Sequence, residues 1–409
     1  MCPHVRITKP ERPIRARVVL PRSKSMANRA LIAAALAGDL SCINDPGDAD
    51  DTRILHALLR DRPPVMHAGL GGTTFRFLLA WAAVQEGQEY HITGDPALLE
   101  RPHTPLIDAL RALGARIQHT EEGYRIHGSQ VPGGEVAFDA PISSQYLSAL
   151  MLIAPYFTNG LRIRWNGVQL SRPYVEMTAR VMRHFGAQVD VGDTLINVKP
   201  GRYAAKPFHV PPDWSAAAFW YEVVALADDA DVELIGLHRT GEQGDEAVLD
   251  LFAPLVTSEA NADGIRLSRT IEAGSDSVRI DLSATPDLFQ PLAFSYAFSE
   301  IRWAFSGLTN LAVKESDRIA AVQQALLRFG VATERDDARA TFRLATDRTI
   351  GSSEGTHPVH GDHRMAMALA PLALVFGAIT IADPDVVSKS YPGFWKDLRQ
   401  AGFGVAEQE

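Results

Sequence analysis

The sequence predicts a mixed α/β chain of two domains, assembled from six copies of one unit with two helices and intervening strands. Three observations carry this. The chain has 409 residues, more than a single hydrophobic core ordinarily serves. Four helix-ending glycines recur at a fixed interval. A second series of apolar helices interleaves with them at nearly the same interval.

The first series is "LRALGA", "MRHFGA", "LLRFGV" and "LRQAGF", with Gly114, Gly186, Gly330 and Gly402 at gaps of 72, 144 and 72 residues. Each glycine follows an apolar helical pattern and precedes a β-like run such as "ARIQH" or "AQVDV", as a helix C-cap feeding a strand does. The double gap predicts another copy near residue 258, where "AVLDLFAPLV" reads as a version that lost its glycine.

In the second series, polar or turn residues lead into mostly apolar helices starting at Lys24, Thr73, Ser143, Trp214, Asp287 and His363, at intervals of 49, 70, 71, 73 and 76. The short first interval coincides with "RDRPPVMHAG", so the first copy is truncated by roughly 20 residues. Six copies suit two domains of three copies each.

Apolar residues at 46% and charged residues at 22% describe an ordinary folded protein. The 40 Lys and Arg against 49 Asp and Glu exclude broad, sequence-blind nucleic-acid binding, which needs a basic face. A local cationic pocket remains open. Cys2 and Cys42 form no CxxC, which removes a disulfide scaffold and structural zinc. No HExxH or other metal motif occurs, so no metal is expected. The start "MCPHVRITKPERP" has no apolar core, and no stretch of about 18 apolar residues follows, so the expectation is a cytoplasmic protein that makes no membrane contact.

Chemistry-bearing residues gather at helix starts, where unpaired N–H groups and about half a positive charge favour anions. "LPRSKSMANRAL" offers Lys24, Ser25 and Arg29, the last four residues after Ser25 on the same face. "GLGGTTFRFL" offers Gly69, Gly71, Gly72, Thr73 and Arg76. It fails both nucleotide-binding glycine patterns but suits a loop whose backbone approaches a small ligand. In "PISSQYLSAL", Ser143, Ser144 and Gln145 are either neutral anion donors or simple helix caps. "QLSRPY" adds Ser171 and Arg172. "VKESDRIAAVQQALLRFG" is the densest cluster, and Lys314 and Arg318 on one face with Glu315 between them suit anion binding with proton transfer. Asp287 follows Pro286 as a cap or a base. "HGDHRMAMALA" contributes Asp362, His363 and Arg364, and "VVSKSYPGFW" contributes Lys389.

Taken together, "SKSMANR", "GGTTFR", "ERPHTPLIDALRALGA", "SSQ", "SRPY", "TPD", "VKESDR", "DHRMAM" and "SKSYPGFW", in this order over residues 21–396, resemble the 5-enolpyruvylshikimate-3-phosphate synthase family. The resemblance implies an inside-out α/β barrel of two domains, residues 20–212 and residues 1–19 plus 213–409, each of three βαβαββ repeats, with the active site in the interdomain cleft. It implies transfer of the enolpyruvyl group of phosphoenolpyruvate to the 5-hydroxyl of shikimate 3-phosphate, by a monomer that needs no cofactor. It places shikimate 3-phosphate on Lys24, Ser25, Arg29, Ser143, Ser144, Gln145, Ser171, Asp287, Asn310 and Lys314. Phosphoenolpyruvate falls to Lys24, Gly72, Arg101, Gln145, Arg318, Arg364 and Lys389. Asp287 is the implied base, and Glu315 with Lys314 the implied proton donor.

The chain departs from the family pattern in places. Leu70-Gly71-Gly72-Thr73 stands where Asn-Ala-Gly-Thr is common, the preceding hairpin is shortened, Arg172 replaces a common Lys, and His360-Gly361 precedes "DHR". Because Gly72 is retained, glyphosate is expected to compete with phosphoenolpyruvate. The sister family acting on UDP-N-acetylglucosamine usually carries a loop cysteine or aspartate in the second repeat, and neither Cys2 nor Cys42 lies there. A non-catalytic anion-binding relative would have lost Asp287 or Glu315. An RNA-end-processing relative would show a nucleotide-linked histidine motif.

Overall fold

Two kinds of helix alternate along the chain, and composition assigns each its layer. Gly72–Ala83, Ser144–Ile153, Trp214–Leu226 and Phe289–Ala297 are apolar on every side and almost wholly buried. Asp50–Asp61, Arg172–His184 and Arg318–Arg328 bury one stripe only; the last buries Ile319, Val322 and Leu326 at helical spacing. The computed structural model describes residues 3–139, 143–270, 276–345 and 350–408. Cys2 lies outside them.

The four recurring glycines share one geometry. Gly114, Gly186, Gly330 and Gly402 have φ of 104°, 95°, 79° and 98°. At each, the glycine N–H donates to the carbonyl three residues back and the next N–H reaches five back, as Gly114 to Arg111 and Ala115 to Leu110. That paired closure is the Schellman motif, and its left-handed residue favours glycine. Around residue 258 the helix is cut to the turn Gly244–Ala247 and Val248–Leu251. There the Phe252 carbonyl closes the end by accepting from Leu255 and Val256.

Five four-stranded sheets occur among the described residues, all with one plan. Val65–His67 runs parallel to Glu89–Thr93, which is antiparallel to Gly123–His127, itself antiparallel to Arg116–Thr120. The parallel pair needs a crossover, and the apolar helix Gly72–Ala83 supplies it. The first copy lacks such a sheet. Its helices Lys24–Ala37 and Asp50–Asp61 keep only a parallel bridge, Ile43 to Phe208, and residues 62–64 lead directly into the next copy. The hairpin missing there accounts for the short interval in the sequence.

The chain divides into two compact units, Arg22–Pro211 and the remainder. In the latter, the early strand His4–Thr8 lies between Ala378–Ala382 and Gly404–Gln408, antiparallel to both. Strand Ile14–Val19 pairs in parallel with Ala230–Ile235. Arg22–Pro211 is therefore inserted between that strand and its crossover helix, Trp214–Leu226. Each unit has its own core, around Trp214, Trp220 and Phe289 in one and Phe75, Trp81 and Trp165 in the other. No helix among the described residues is long and apolar enough to cross a membrane.

Candidate active site

The sixteen candidate residues divide between the units, nine in Arg22–Pro211 and seven in the other.

In Arg22–Pro211, Lys24 opens its helix and its ammonium meets Asp51 Oδ2 at 2.8 Å. Sequence reasoning misses Asp51, because "DADD" signals only an acidic helix start. Beyond half-buried Ser25, Arg29 is 1% exposed. Its Nε donates to Thr178 Oγ1 at 2.7 Å, Nη1 to the Ser25 carbonyl at 2.7 Å and Nη2 to Ser148 Oγ at 3.2 Å, tying three helices together. No carboxylate among the described residues pairs with it, and burial lowers its pKa to about 10. A buried cation without a counter-ion is costly, so the surroundings favour an incoming anion.

Gly72 begins its helix, and a Cβ there would fall 2.8 Å from Arg101 Nη1 and 3.2 Å from Arg76 Nη1. Glycine thus admits two guanidiniums to the helix start. Arg76 Nη1 donates to Gln145 Oε1 at 2.5 Å, and its guanidinium lies 5.1 Å from the centre of the Tyr146 ring. Arg76 Nη2 and the Tyr146 hydroxyl both donate to the Pro102 carbonyl. Gly72, Arg101 and Gln145 are therefore neighbours through Arg76. His103 adds no charge here, since burial, then Arg76 and Arg101, lowers its pKa to about 4.

Ser143 caps its helix by accepting from Gln145 N–H, and Ser144 is buried behind it. Ser171 is buried at the start of Arg172–His184 with φ 57° and ψ 35°, a left-handed conformation that is strained for serine. Arg172 directs its charge locally, to Glu176 at 3.1 Å and to the carbonyls of Gly192 and Asp193.

In the other unit, Arg318 is 1% exposed and holds three carboxylates: Asp362 through Nε at 2.9 Å, Asp287 through Nη1 at 2.9 Å and Glu315 through Nη2 at 3.0 Å. Burial alone would depress its pKa, but the three acids raise it. Asp287 stands in the turn Pro286–Leu288 and also meets Arg364 Nη2 at 2.9 Å and Lys314 Nζ at 3.8 Å. Burial works to raise the Asp287 pKa; Arg364, Lys314 and Arg318 outweigh it and hold it well below the usual carboxylate range. Glu315 also meets Lys389 Nζ at 3.1 Å. Asp362 is fully buried and caps helix His363–Leu369, accepting from Arg364 N–H. Asn310 immediately precedes the turn Leu311–Val313 that leads into Lys314.

Sequence reasoning also misses Asp245, in the copy that lacks its glycine. Asp245 is buried, is bonded by the Ser215 hydroxyl, and has its pKa raised to about 6 by burial and then by the charge of Asp287. Here Lys314, Arg318, Arg364 and Lys389 face Asp245, Asp287, Glu315 and Asp362. The Arg22–Pro211 unit instead pairs Lys24 with Asp51, buries Arg29 among Ser25, Ser148 and Thr178, and sets Arg76 and Arg101 beside Gly72. That cluster is mainly cationic; the cluster in the other unit interleaves cations with carboxylates.

A family model described as EPSP synthase (3-phosphoshikimate 1-carboxyvinyltransferase) matches residues 8–62 and 61–398. A Bacteroides fragilis 3-phosphoshikimate 1-carboxyvinyltransferase is 39% identical over 401 residues, 96% of each chain. An EPSP synthase structure from Acinetobacter baumannii superposes with a TM-score of 0.78 at 22% identity, covering 99% of this chain and 100% of that one. The enolpyruvyl transferase NikO from Streptomyces tendae gives 0.69 at 15% identity, covering 99% of each. The two structural likenesses establish a shared mixed α/β fold.

Proposed function

The chain belongs to the EPSP synthase (3-phosphoshikimate 1-carboxyvinyltransferase) family, and from that premise we infer how its residues carry out the reaction. It transfers the enolpyruvyl group of phosphoenolpyruvate to the 5-hydroxyl of shikimate 3-phosphate and releases phosphate. We propose that the two units are the two domains of an inside-out α/β barrel, with three βαβαββ repeats each and the first one shortened. The proposal has both half-sites serving one pair of substrates in a monomeric, cytoplasmic enzyme.

The unequal charge of the halves carries this reading. Two substrates with a phosphate and a carboxylate each bring four anionic groups, and Lys24, Arg29, Arg76 and Arg101 suit them. Ser25, Ser143, Ser144, Gln145 and Ser171 add neutral donors for shikimate 3-phosphate, and the open space at Gly72 admits phosphoenolpyruvate beside Arg101. Holding the reactants together is worth about 7–11 kcal/mol of barrier.

The carboxylates of the other half move protons. Asp287, kept ionised by Arg364, Lys314 and Arg318, accepts the 5-hydroxyl proton as the oxygen attacks C2 of phosphoenolpyruvate. Glu315 gives a proton to the methylene carbon. Glu315 then takes a methyl proton back from the tetrahedral adduct as phosphate leaves C2 with the proton held by Asp287, which restores the double bond and both carboxyl groups. Substrate anions that draw Arg318 and Arg364 away leave Asp287 less stabilised as an anion, so it becomes a stronger base as the site fills.

Acceptor discrimination tests the function. The purified chain is expected to release phosphate from phosphoenolpyruvate with shikimate 3-phosphate and to form the enolpyruvyl ether, while UDP-N-acetylglucosamine supports no turnover. Turnover with the nucleotide sugar alone would contradict the reading.

A further inference from the structure

We infer that Arg22–Pro211 carries a second small-anion site, at the far end of the helix that begins with Gly72. A cavity of about 630 Å³ opens there, within the range that holds metabolite-sized ligands. The helix is twelve residues long, which places the cavity about 18 Å along its axis from Gly72. None of the lining residues is a substrate candidate.

Two arginines give the cavity its charge. The Arg62 guanidinium lies 5.7 Å from the centre of the Trp81 ring, and that of Arg202 lies 5.0 Å from the centre of the Tyr156 ring. Stacking fixes a guanidinium while leaving its edge N–H groups available for a bidentate partner. Arg62 donates Nε to the Leu59 carbonyl at 3.4 Å, and neither arginine pairs with a carboxylate among the described residues.

The bland explanation is that these cations neutralise the helix C-terminus. The terminal carbonyls are already satisfied. That of Trp81 accepts from Val84 N–H and Gln85 Nε2, that of Ala82 from Gln85 N–H, and that of Ala83 from Ser129 N–H. The wall is also preformed. Gly87 N–H donates to the Gly128 carbonyl and Gly128 N–H to that of Gln88, while a Cβ on Gly128 would fall 1.9 Å from the Gln85 carbonyl oxygen. Gln88, Ser129 and Gln130 bring neutral donors, and Glu86 is the one acid of the lining.

This chemistry fits an organic anion with carboxylate or phosphate groups for the arginines and hydroxyls for the amides. Titration calorimetry with citrate and, separately, pyrophosphate, on the wild type and on Arg62→Ala/Arg202→Ala, tests the site. At least one probe is expected to bind the wild type at millimolar concentration or tighter, and about tenfold or more weaker in the double variant, since charged hydrogen bonds are lost. The probe that binds tells a carboxylate from a phosphate preference. Turnover of the double variant is expected to match the wild type, so failure here leaves the catalytic reading intact. No binding of either probe to the wild type, or equal binding to both proteins, would overturn the inference.

Discussion

Glu222→Gln is expected to stabilise the unit that carries the carboxylate half-site, and to do so more strongly as pH rises. Glu222 lies inside helix Trp214–Leu226, is 0% exposed, and neither carboxylate oxygen has a hydrogen-bond partner among the described residues. Burial pushes its pKa well above the usual glutamate value. In the unfolded chain the group loses its proton near pH 4.3, as model peptides do. Above that pH the folded state binds more protons than the unfolded state, so stability falls as pH rises. The loss runs at up to about 1.4 kcal/mol per pH unit between the unfolded and the folded pKa. Glutamine keeps the shape and does not titrate. Urea unfolding at the two pH values, followed by the fluorescence of Trp214 and Trp220 in the same helix, reads the effect. Other groups titrate equally in both proteins and cancel in the difference. The gap between variant and wild type should widen as pH rises from 5 to 7, at up to about 1.4 kcal/mol per pH unit. A gap independent of pH would refute the neutral, buried carboxyl.

Further consequences concern the site. Gly72→Ala places a methyl 2.8 Å from Arg101 Nη1, so the KM for phosphoenolpyruvate should rise about tenfold, the scale of a 1–3 kcal/mol overpacking cost; an unchanged KM would remove Gly72 from that pocket. Asp245→Asn should delete from the pH–rate profile an ionisation near pH 6 and leave the rest of the profile in place. Glyphosate at millimolar concentration should inhibit competitively against phosphoenolpyruvate, and full activity would point to the Leu70-Gly71 loop.

What was legible in the sequence was local or periodic. The Schellman glycines and the two helix classes depend on neighbours within one or two turns, so their patterns survive in a single chain. The shortened first copy showed as a missing interval, and the structure locates the loss in a hairpin. Partners distant in sequence were not legible. Asp51 meets Lys24 from another helix, and Ser148 and Thr178 meet Arg29 from two more. Asp245 was hidden because its copy ends in a tight turn rather than at a glycine. Arg29 read as an anion-binding cation on the Ser25 face, and its second part as a buried strut for three helices had no local signal. The left-handed Ser171 had no signal, since Ser-Arg-Pro reads as an ordinary turn.

The division of labour between the half-sites is the central claim, and one paired measurement tests it: shikimate 3-phosphate affinity by calorimetry alongside turnover, for Lys24→Ala, Asp287→Asn and Glu315→Gln. Lys24→Ala should weaken binding by about tenfold or more, the value of a charged hydrogen bond. Asp287→Asn and Glu315→Gln should bind within a few-fold of the wild type while kcat falls by about 10²–10⁴. Full turnover in either carboxylate variant, or unchanged affinity in Lys24→Ala, would contradict the account.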